Sequence, residues 1–171
     1  AGADAGTETV ILVDGLAPFV DTFWACILGR IIAVPLAPGN ADEHKAKLFR
    51  VLERLRSPTL ATERKVFDRL RSYAADNGLG DTLAKLAQRT VFLDEVSDVS
   101  VAGVEYRATP DDIAFIQFSS GSTSEPKGVV LTHRNLATNI DAILTGIGAQ
   151  PDDASLSWMP LTHDMGLIGF H

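Results

Sequence analysis

Residues 10–36 read VILVDGLAPFVDTFWACILGRIIAVPL and carry the clearest signal of the fold. The apolar run Val10–Val13 predicts a short buried strand, and Ile31–Leu36 predicts a second one. Between them, the apolar residues of Phe19–Leu28 recur on one broad helical face, and Gly29 marks the expected end of that helix. A strand, a helix and a strand joined by short links predict parallel pairing. The predicted fold class is therefore α/β, with three layers and a mainly parallel sheet flanked by helices.

The same alternation continues towards the middle of the chain. Amphipathic helices are predicted around Leu48–Leu55 and Val66–Ala74, because apolar residues recur there at helical intervals. A short strand is predicted at Pro58–Thr62 between these helices, and another at Thr90–Leu93. Residues 97–107 are polar and show no clear period, which predicts a surface connection or a hairpin.

The second half of the chain has a denser pattern. Thr132 is the expected N-cap of a helix that ends at Gly148. Trp158 is expected in the core or in a pocket wall. The other predicted elements are a turn at residues 109–112, strands at Ile113–Phe118, Val129–Leu131 and Ala154–Trp158, and an apolar helix after residues 162–164.

The composition is that of an ordinary globular protein, with 46% apolar and 22% charged residues among 171. The single cysteine, Cys26, excludes a disulfide framework and a four-cysteine zinc site, and its place on a helix predicts an inert side chain. A formal charge of −7 argues against a general nucleic-acid binder, and no apolar run reaches the roughly 20 residues of a membrane span. No leader pattern opens the chain, so the expected location is the cytoplasm. The chain begins without Met and stops soon after a helix start, so we expect a piece of a larger protein.

Two groups of basic residues are informative. From residue 109 onward seven acidic residues accompany only two basic ones, Lys127 and Arg134, and this placement predicts a local anion site. The other group lies in and around the two amphipathic helices, where interleaved acidic residues predict a solvated helix face; an acidic partner is the alternative. Its members are Lys45, Lys47, Arg50, Arg54, Arg56, Arg64, Lys65, Arg69 and Arg71.

Residues 119–128 read SSGSTSEPKG and join two predicted strands. Five of the first six residues carry hydroxyl groups. The remaining one, Gly121, allows the backbone to approach a ligand closely. Lys127 adds a positive charge suited to phosphate oxygens, and Pro126 stiffens the return into the next strand. The phosphate tail of a nucleotide requires such a loop, with many donors, little bulk and one cation. The candidate ligands are Ser119, Ser120, Gly121, Ser122, Thr123, Ser124, Lys127 and Gly128.

The loop differs from the common nucleotide-binding pattern, G-x-x-x-x-G-K-[ST], because Gly128 and a strand follow Lys127. We therefore expect no helix N-terminus at the phosphates and place the loop between neighbouring strands at one sheet edge. A flexible linker rich in Ser and Gly is the alternative. The apolar strands on both sides and the ending Pro-Lys-Gly argue against it.

The loop resembles the signature loop of the adenylate-forming superfamily, whose pattern is roughly [ST]-S-G-[ST]-[ST]-G-x-P-K-G, then a strand and a Thr/Ser-His-x-Asn helix start. Residues 132–135, THRN, match that helix start. Ser124 stands two positions before Pro126, where the pattern has its second Gly. This departure is typical of fatty acyl-AMP ligases. Residues 157–167, SWMPLTHDMGL, resemble the next family motif, P-x-x-H-x-x-G, in the form associated with fatty acyl-AMP ligases and related loading domains. Residues 19–35 resemble an early family segment more weakly.

The resemblance implies an enzyme that activates a carboxylic acid, expected to be a fatty acid, with Mg-ATP to give an acyl-adenylate and pyrophosphate. The acyl group would then pass to the phosphopantetheine thiol of a carrier protein, as in loading domains of polyketide or non-ribosomal peptide synthetases. Two alternatives stay open: an acyl-CoA synthetase that transfers to CoA, and a non-catalytic nucleotide-binding, scaffolding or interaction domain. An amino-acid-activating domain fits less well, because such domains usually carry Phe-Asp where this chain has His163-Asp164.

The resemblance also implies roles for individual residues. The loop at residues 119–128 would hold the β and γ phosphates of ATP. His163 is the candidate catalytic residue, which would orient the carboxylate or gate the acyl pocket. Asp164 fits a helix N-terminal acid as well as it fits a substrate contact.

The resemblance covers most of the chain, so residues 1–171 are expected to be the N-terminal portion of an AMP-binding domain. Within it we expect an α/β subregion at residues 1–108, and the phosphate loop and acyl-pocket motif at residues 109–171. The Mg²⁺ ligand, the ribose-binding Asp and the catalytic Lys of the C-terminal domain are expected outside this chain. The chain by itself is therefore expected to be inactive.

Overall fold

The computed structural model describes residues 3–96, 102–119 and 125–169. Strands and helices alternate along most of this length, as the sequence predicts. In chain order the elements are β1 (Glu8–Leu12), α1 (Leu16–Leu28), β2 (Ile32–Pro35), α2 (Asp42–Leu52), β3 (Thr59–Thr62), α3 (Arg64–Asp76), α4 (Gly80–Ala87), β4 (Thr90–Phe92) with a 3-10 turn at Leu93–Glu95, β5 (Ile113–Ser119), β6 (Lys127–Thr132), α5 (His133–Ile147) and α6 (Asp164–Gly169).

The strands of the described residues form one six-stranded sheet in the order β4-β3-β1-β2-β5-β6. All neighbouring strands are parallel except β5 and β6, which run antiparallel at one edge. Helix α1 connects β1 to its parallel neighbour β2, the unit on which the predicted α/β class depends. The prediction of a mainly parallel sheet is therefore confirmed.

Two apolar cores lie on opposite faces of the sheet and give the fold its three layers. Along β1, Val10 and Leu12 belong to one core and Ile11 to the other, because successive side chains of a strand point to opposite faces. Helices α2, α3 and α4 pack on the first face. Helix α1 packs on the second face, together with residues of α5 and α6. Since β1 is buried on both faces, its sequence is a continuous apolar run.

Strand β5 contains a bulge near its start. The pairing register with β6 shifts between Ile113 and Phe115. Because of the extra residue, Ala114 and Phe115 both belong to the core beneath α1. Alternation then resumes, so Ile116 lies in the opposite core and Gln117 returns to the α1 face.

Helix α5 begins and ends as predicted. The backbone N–H of Asn135 donates to the Oγ1 of Thr132 at 3.2 Å, and the backbone N–H of Thr132 donates to the Oδ1 of Asn135 at 3.0 Å. Gly148 ends the helix at φ 67°, a left-handed conformation that favours glycine. The described side chains of α5 include no buried residue, and Ile140 and Leu144 are about half exposed.

The predicted strand Ala154–Trp158 is wrong, because residues 153–158 form no regular structure. Leu156 is 95% exposed and Trp158 is 91% exposed, so the expectation that Trp158 lies in the core or a pocket wall is wrong as well. A strand needs a neighbour that pairs with its backbone. None of the described strands pairs with this segment, so its apolar side chains remain uncovered.

Helix α4 has no counterpart among the predicted elements. Only Leu83 and Leu86 are buried in its eight residues, and two buried positions are too few to define a helical period. In the predicted polar connection, residues 97–101 lie outside the described residues and residues 102–107 have no regular structure. Among the helices in the described ranges, none has the length and apolar character needed to span a membrane.

Candidate functional site

The loop at residues 119–128 connects two neighbouring antiparallel strands, as predicted. Ser119 is the last residue of β5, Lys127 is the first residue of β6, and the two pair across the strand ends. The Oγ of Ser119 donates a weak hydrogen bond to the carbonyl oxygen of Lys127, at 3.5 Å. Both ends of the loop are thus held at the edge of the sheet. The predicted ligands Ser120, Gly121, Ser122, Thr123 and Ser124 lie outside the described residues.

Gly128 has a packing role within β6. It pairs with Phe118, and a Cβ added at Gly128 would lie 3.0 Å from side-chain atoms of both Phe118 and Ile116. This separation is tighter than ordinary van der Waals contact, so glycine leaves room for the ring of Phe118. Phosphate binding by Gly128 stays a prediction.

An open cleft of about 720 Å³ lies beyond the carboxyl ends of β2 and β5. Ligands of α/β proteins bind at this edge of the sheet. The cleft is lined by the end of β5, the return of the loop at Pro126, one side of α2, and Pro160 with residues 162–164. It brings together Ser119 and His163, which belong to the two separate sequence motifs. Lys127 does not line the cleft.

His163 lies at the start of α6 with a mostly exposed ring. Its backbone N–H donates to the carbonyl oxygen of Pro160 at 3.0 Å. The Nδ1 of His163 lies 2.6 Å from the Oδ1 of Asp164, and the backbone N–H of Met165 donates to the same carboxylate oxygen at 2.8 Å. The backbone N–H of Met165 also approaches Nδ1, at 3.3 Å, so both local partners of the ring lie at Nδ1 and Nε2 has no partner within the described residues. Asp164 therefore acts as the partner of His163 at a helix start.

Gln117 is a site residue that the motifs do not include. Its side chain is 8% exposed, and its Nε2 donates to the carbonyl oxygen of Thr162 at 3.2 Å. Its Oε1 is buried and accepts no hydrogen bond from the described residues. The only sequence signal was an amide inside an otherwise apolar strand, since buried polar groups are normally hydrogen-bonded.

Gly166, the glycine of the His163 motif, is buried where α6 meets the preceding segment. A Cβ added at Gly166 would collide with the carbonyl group of Pro160 and approach the carbonyl oxygen of Met159. Because the motif has a glycine at this position, the backbone of α6 can lie directly against the backbone of residues 159–160. This contact fixes the turn that presents His163.

The anion site predicted from Lys127 and Arg134 is wrong with respect to Arg134. The guanidinium of Arg134 binds Asp111, with 2.9 Å between Nε and Oδ1, which lowers the pKa of Asp111 and raises that of Arg134. A hydrogen bond from the backbone N–H of Thr109, followed by one from Arg30, lowers the pKa of Asp112 to about 2. These pairs stabilise the turn before β5, so the charge of Arg134 has a structural use.

The basic residues in and around α2 and α3 largely confirm the predicted solvated, ion-paired helix face. Six of the nine form ion pairs with described acidic residues. The other three, for which the described residues provide no ion-pair partner, are Lys47, Arg50 and Arg56. Lys47 and Arg50 line the cleft, whereas Arg56 does not.

Sequence comparison places this geometry in a family. The model for "AMP-binding enzyme" matches residues 1–171. The long-chain-fatty-acid–AMP ligase FadD32 of Mycolicibacterium smegmatis is 30% identical over 165 residues, which cover 95% of this chain and 25% of that protein. The medium-chain-fatty-acid–[acyl-carrier-protein] ligase TtuA of Teredinibacter turnerae is 32% identical in an alignment 184 residues long. This alignment covers 88% of this chain and 29% of that protein. The chain thus spans less than a third of the length of these relatives.

Structure comparison agrees with the sequence match. The solved structure of McyG A-PCP complexed with phenylalanyl-adenylate is similar with a TM-score of 0.83 and 26% identity, over 98% of this chain and 26% of that chain. The similar fold therefore includes the sheet and its flanking helices. Because the family model covers the sequence from end to end, the chain belongs to the AMP-binding enzyme family.

Proposed function

We propose that the protein activates a fatty acid with ATP and then transfers the acyl group to the phosphopantetheine thiol of a carrier protein. Family membership supports the first step. FadD32 is a ligase of long-chain fatty acids, which supports the substrate, and TtuA is a ligase of medium-chain fatty acids and acyl-carrier protein, which supports both the substrate and the acceptor. Residues 1–108 would form the α/β subregion, and residues 109–171 the motif region.

The first step has an electrostatic barrier, because an anionic carboxylate must approach an anionic phosphate. In this step a carboxylate oxygen bonds to the α-phosphorus, and the bond from that phosphorus to the bridging oxygen breaks to release pyrophosphate. Residues 119–128 supply hydroxyl groups, backbone N–H groups and the ammonium group of Lys127 to hold the β and γ phosphates. Donors at these positions would stabilise the charge that develops on the leaving group.

His163 would orient the fatty-acid carboxylate. Asp164 holds its Nδ1, so Nε2 is the ring nitrogen available to a substrate. When the ring is the imidazolium, with its Nδ1–H held by Asp164, its Nε2–H donates a hydrogen bond to one carboxylate oxygen and leaves the other oxygen to attack. The observation that carries the proposal is the shared cleft, in which Ser119 of the loop and His163 of the second motif meet.

A magnesium ion, when bound, would neutralise part of the phosphate charge. No group of three or more His, Cys, Asp or Glu side chains in the described ranges has the arrangement needed to hold a metal. The residues described here therefore do not fit a complete metal site, and the steps above use only the donors of the chain itself.

The test is acid-dependent ATP–pyrophosphate exchange by the full-length protein, with a panel of fatty acids, aromatic acids and amino acids. We expect exchange with fatty acids and a loss of at least about a hundredfold when Thr123 and Lys127 are both replaced by alanine, because several transition-state hydrogen bonds disappear together. Lys85→Ala, a lysine of α4 that does not line the cleft, is the matched control. Exchange equal to that of the wild type in the Thr123→Ala/Lys127→Ala variant would overturn the proposal.

The acceptor requires a separate measurement. Incubation of the acylated reaction mixture with a phosphopantetheinylated carrier protein or with CoA should give acyl transfer to the carrier protein in preference to CoA. Transfer only to CoA would favour an acyl-CoA synthetase. The isolated 171-residue chain is expected to show no exchange, since it spans less than a third of the length of these relatives.

A further inference from the structure

Two cations of α2 line the cleft without an acidic partner. Lys47 and Arg50 stand three positions apart, on one face of the helix. Neither forms an ion pair with any described residue. By contrast, Lys45 on the same helix pairs with Asp42 at 2.9 Å and does not line this cleft.

The segment just after α2 makes contact with the phosphate loop. Arg54 lies just beyond α2, four positions after Arg50, and its Nη2 is 2.6 Å from the Oε2 of Glu125. Glu125 belongs to the loop and lines the cleft together with Pro126. This ion pair ties α2 to the returning end of the loop. The two cations and the loop therefore border one space.

Both cations are partly removed from water. The Nε of Arg50 is buried and has no hydrogen-bond partner in the described part of the chain, which costs free energy unless a ligand supplies an acceptor. Burial, followed by the nearby charge of Arg50, lowers the pKa of Lys47. Like charges held close together in a cleft favour the binding of an anion, because it relieves their repulsion.

The acidic groups of the cleft leave these charges available. Glu125 is held by Arg54, and Asp164 lies against His163. Glu43, in the first turn of α2, is the other acidic residue among those that line the cleft. On α2, therefore, two positive charges line the cleft, and the single negative charge of Glu43 offsets only one of them.

We propose that Lys47 and Arg50 form a second phosphate-binding wall, which holds the pyrophosphate end of ATP from α2 in the cleft that Ser119 and Pro126 also line. This inference rests on the proposed function, which supplies pyrophosphate as the leaving group. Pyrophosphate carries several negative charges, and the loop provides only Lys127 as a cation. A guanidinium and an ammonium from α2 add charge-assisted hydrogen bonds to the phosphate oxygens.

The test compares Lys47→Met, Arg50→Met and the double variant of the full-length protein. Methionine keeps a long apolar stem, so packing changes little. Arg56→Met is the matched control, because Arg56 is an exposed cation near α2 that does not line the cleft. We expect the KM for pyrophosphate in the exchange reaction to rise about tenfold in each single variant and about a hundredfold in the double variant. The KM for the fatty acid and the values of the control should stay unchanged.

Calorimetric binding of inorganic pyrophosphate measures the same wall without turnover, and should weaken by the same factors. Unchanged pyrophosphate binding in the folded double variant would overturn the proposal, as would a change confined to the KM of the phosphopantetheine acceptor. If Arg50→Met does not fold, Lys47→Met and the charge-preserving Arg50→Lys carry the test. Failure of the wild type to exchange pyrophosphate would contradict the proposed function, whereas the calorimetric comparison would still decide the role of α2.

Discussion

Gln117 and Thr162 are joined by a hydrogen bond in which the Nε2 of Gln117 donates to the carbonyl oxygen of Thr162 at 3.2 Å. Gln117 lies two positions before the phosphate loop, and Thr162 directly precedes His163. One buried side chain therefore connects the two motif segments. The position of His163 relative to the loop depends on a residue that belongs to neither motif.

Replacement of Gln117 by leucine should loosen the segment that carries His163. The carbonyl oxygen of Thr162 loses its donor, and an unpaired buried polar group costs about 1–3 kcal/mol. We expect urea denaturation to show a smaller net loss, because the substitution also removes the buried, unpaired Oε1 of Gln117, and we expect the kcat of adenylation to fall. Thr162→Ala is the control, because it keeps the backbone carbonyl, and should stay close to the wild type. Equal effects of the two substitutions would show that this hydrogen bond does not position the segment.

Gly166→Ala should move α6 away from residues 159–160. Its new methyl group would collide with the backbone of Pro160, so we expect lower stability and a lower rate of adenylation. Gly169→Ala in the same helix is the matched control, because its Cβ would meet only the Sδ of Met165 at 3.4 Å. Thermal unfolding and pyrophosphate exchange measure the two effects. A Gly166→Ala protein as stable and active as Gly169→Ala would contradict the close backbone packing.

Asp112 should contribute to stability in a pH-dependent way. Hydrogen bonds from Thr109 and Arg30 lower its pKa to about 2 in the folded protein, below the value of about 3.9 expected when unfolded. The contribution is present above about pH 4 and is lost as the pH falls towards 2. Asp112→Asn should therefore lower the urea midpoint at pH 7 and have a smaller effect near pH 3.

The control for Asp112 is Asp141→Asn, since Asp141 has no hydrogen-bond or ion-pair partner among the described side chains. This variant should match the wild type at both pH values. A difference between Asp112→Asn and the wild type that stays constant from pH 7 to pH 3 would rule out the carboxylate as its source.

Cys26 should resist alkylation in the folded protein. Burial raises the pKa of its thiol to about 12, so the reactive thiolate is scarce at pH 8.5. Iodoacetamide should modify the peptide containing Cys26 only after urea is added, as measured by mass spectrometry. This outcome would agree with the inert side chain predicted from the sequence. Rapid modification without urea would mean that helix α1 opens readily.

Local patterns account for the parts of the fold that the sequence predicts well. The apolar run of β1, the period of α1 and the capping of α5 by Thr132 and Gly148 each depend on neighbouring residues. The antiparallel pairing of β5 and β6 is expected, because a short loop joins the two predicted strands. The position of His163 near the loop was implied by the family resemblance and is present in the cleft.

Other features depend on contacts between distant residues, which local patterns do not contain. Gln117 reaches Thr162 only because of the register of β5, and Lys47 faces the cleft only because α2 packs beside the loop. The ion pair of Arg134 with Asp111 cannot be read from local sequence, because the two residues are 23 positions apart and the β5–β6 hairpin lies between them. Around Trp158, apolar and polar residues alternate as they do in a strand. No described strand lies beside this segment, so the sequence alone could not show that Trp158 is exposed.

The bulge in β5 has a consequence for how this region tolerates change. The extra residue at positions 113–115 sets which face every later side chain of the strand occupies. Deletion of a single residue there would turn Gln117 towards α2 and Ile116 towards α1, even though every amino acid that follows is retained. Between residue 113 and the loop, the number of residues is therefore constrained as tightly as their identity, and insertions or deletions of one residue should be less acceptable than most substitutions.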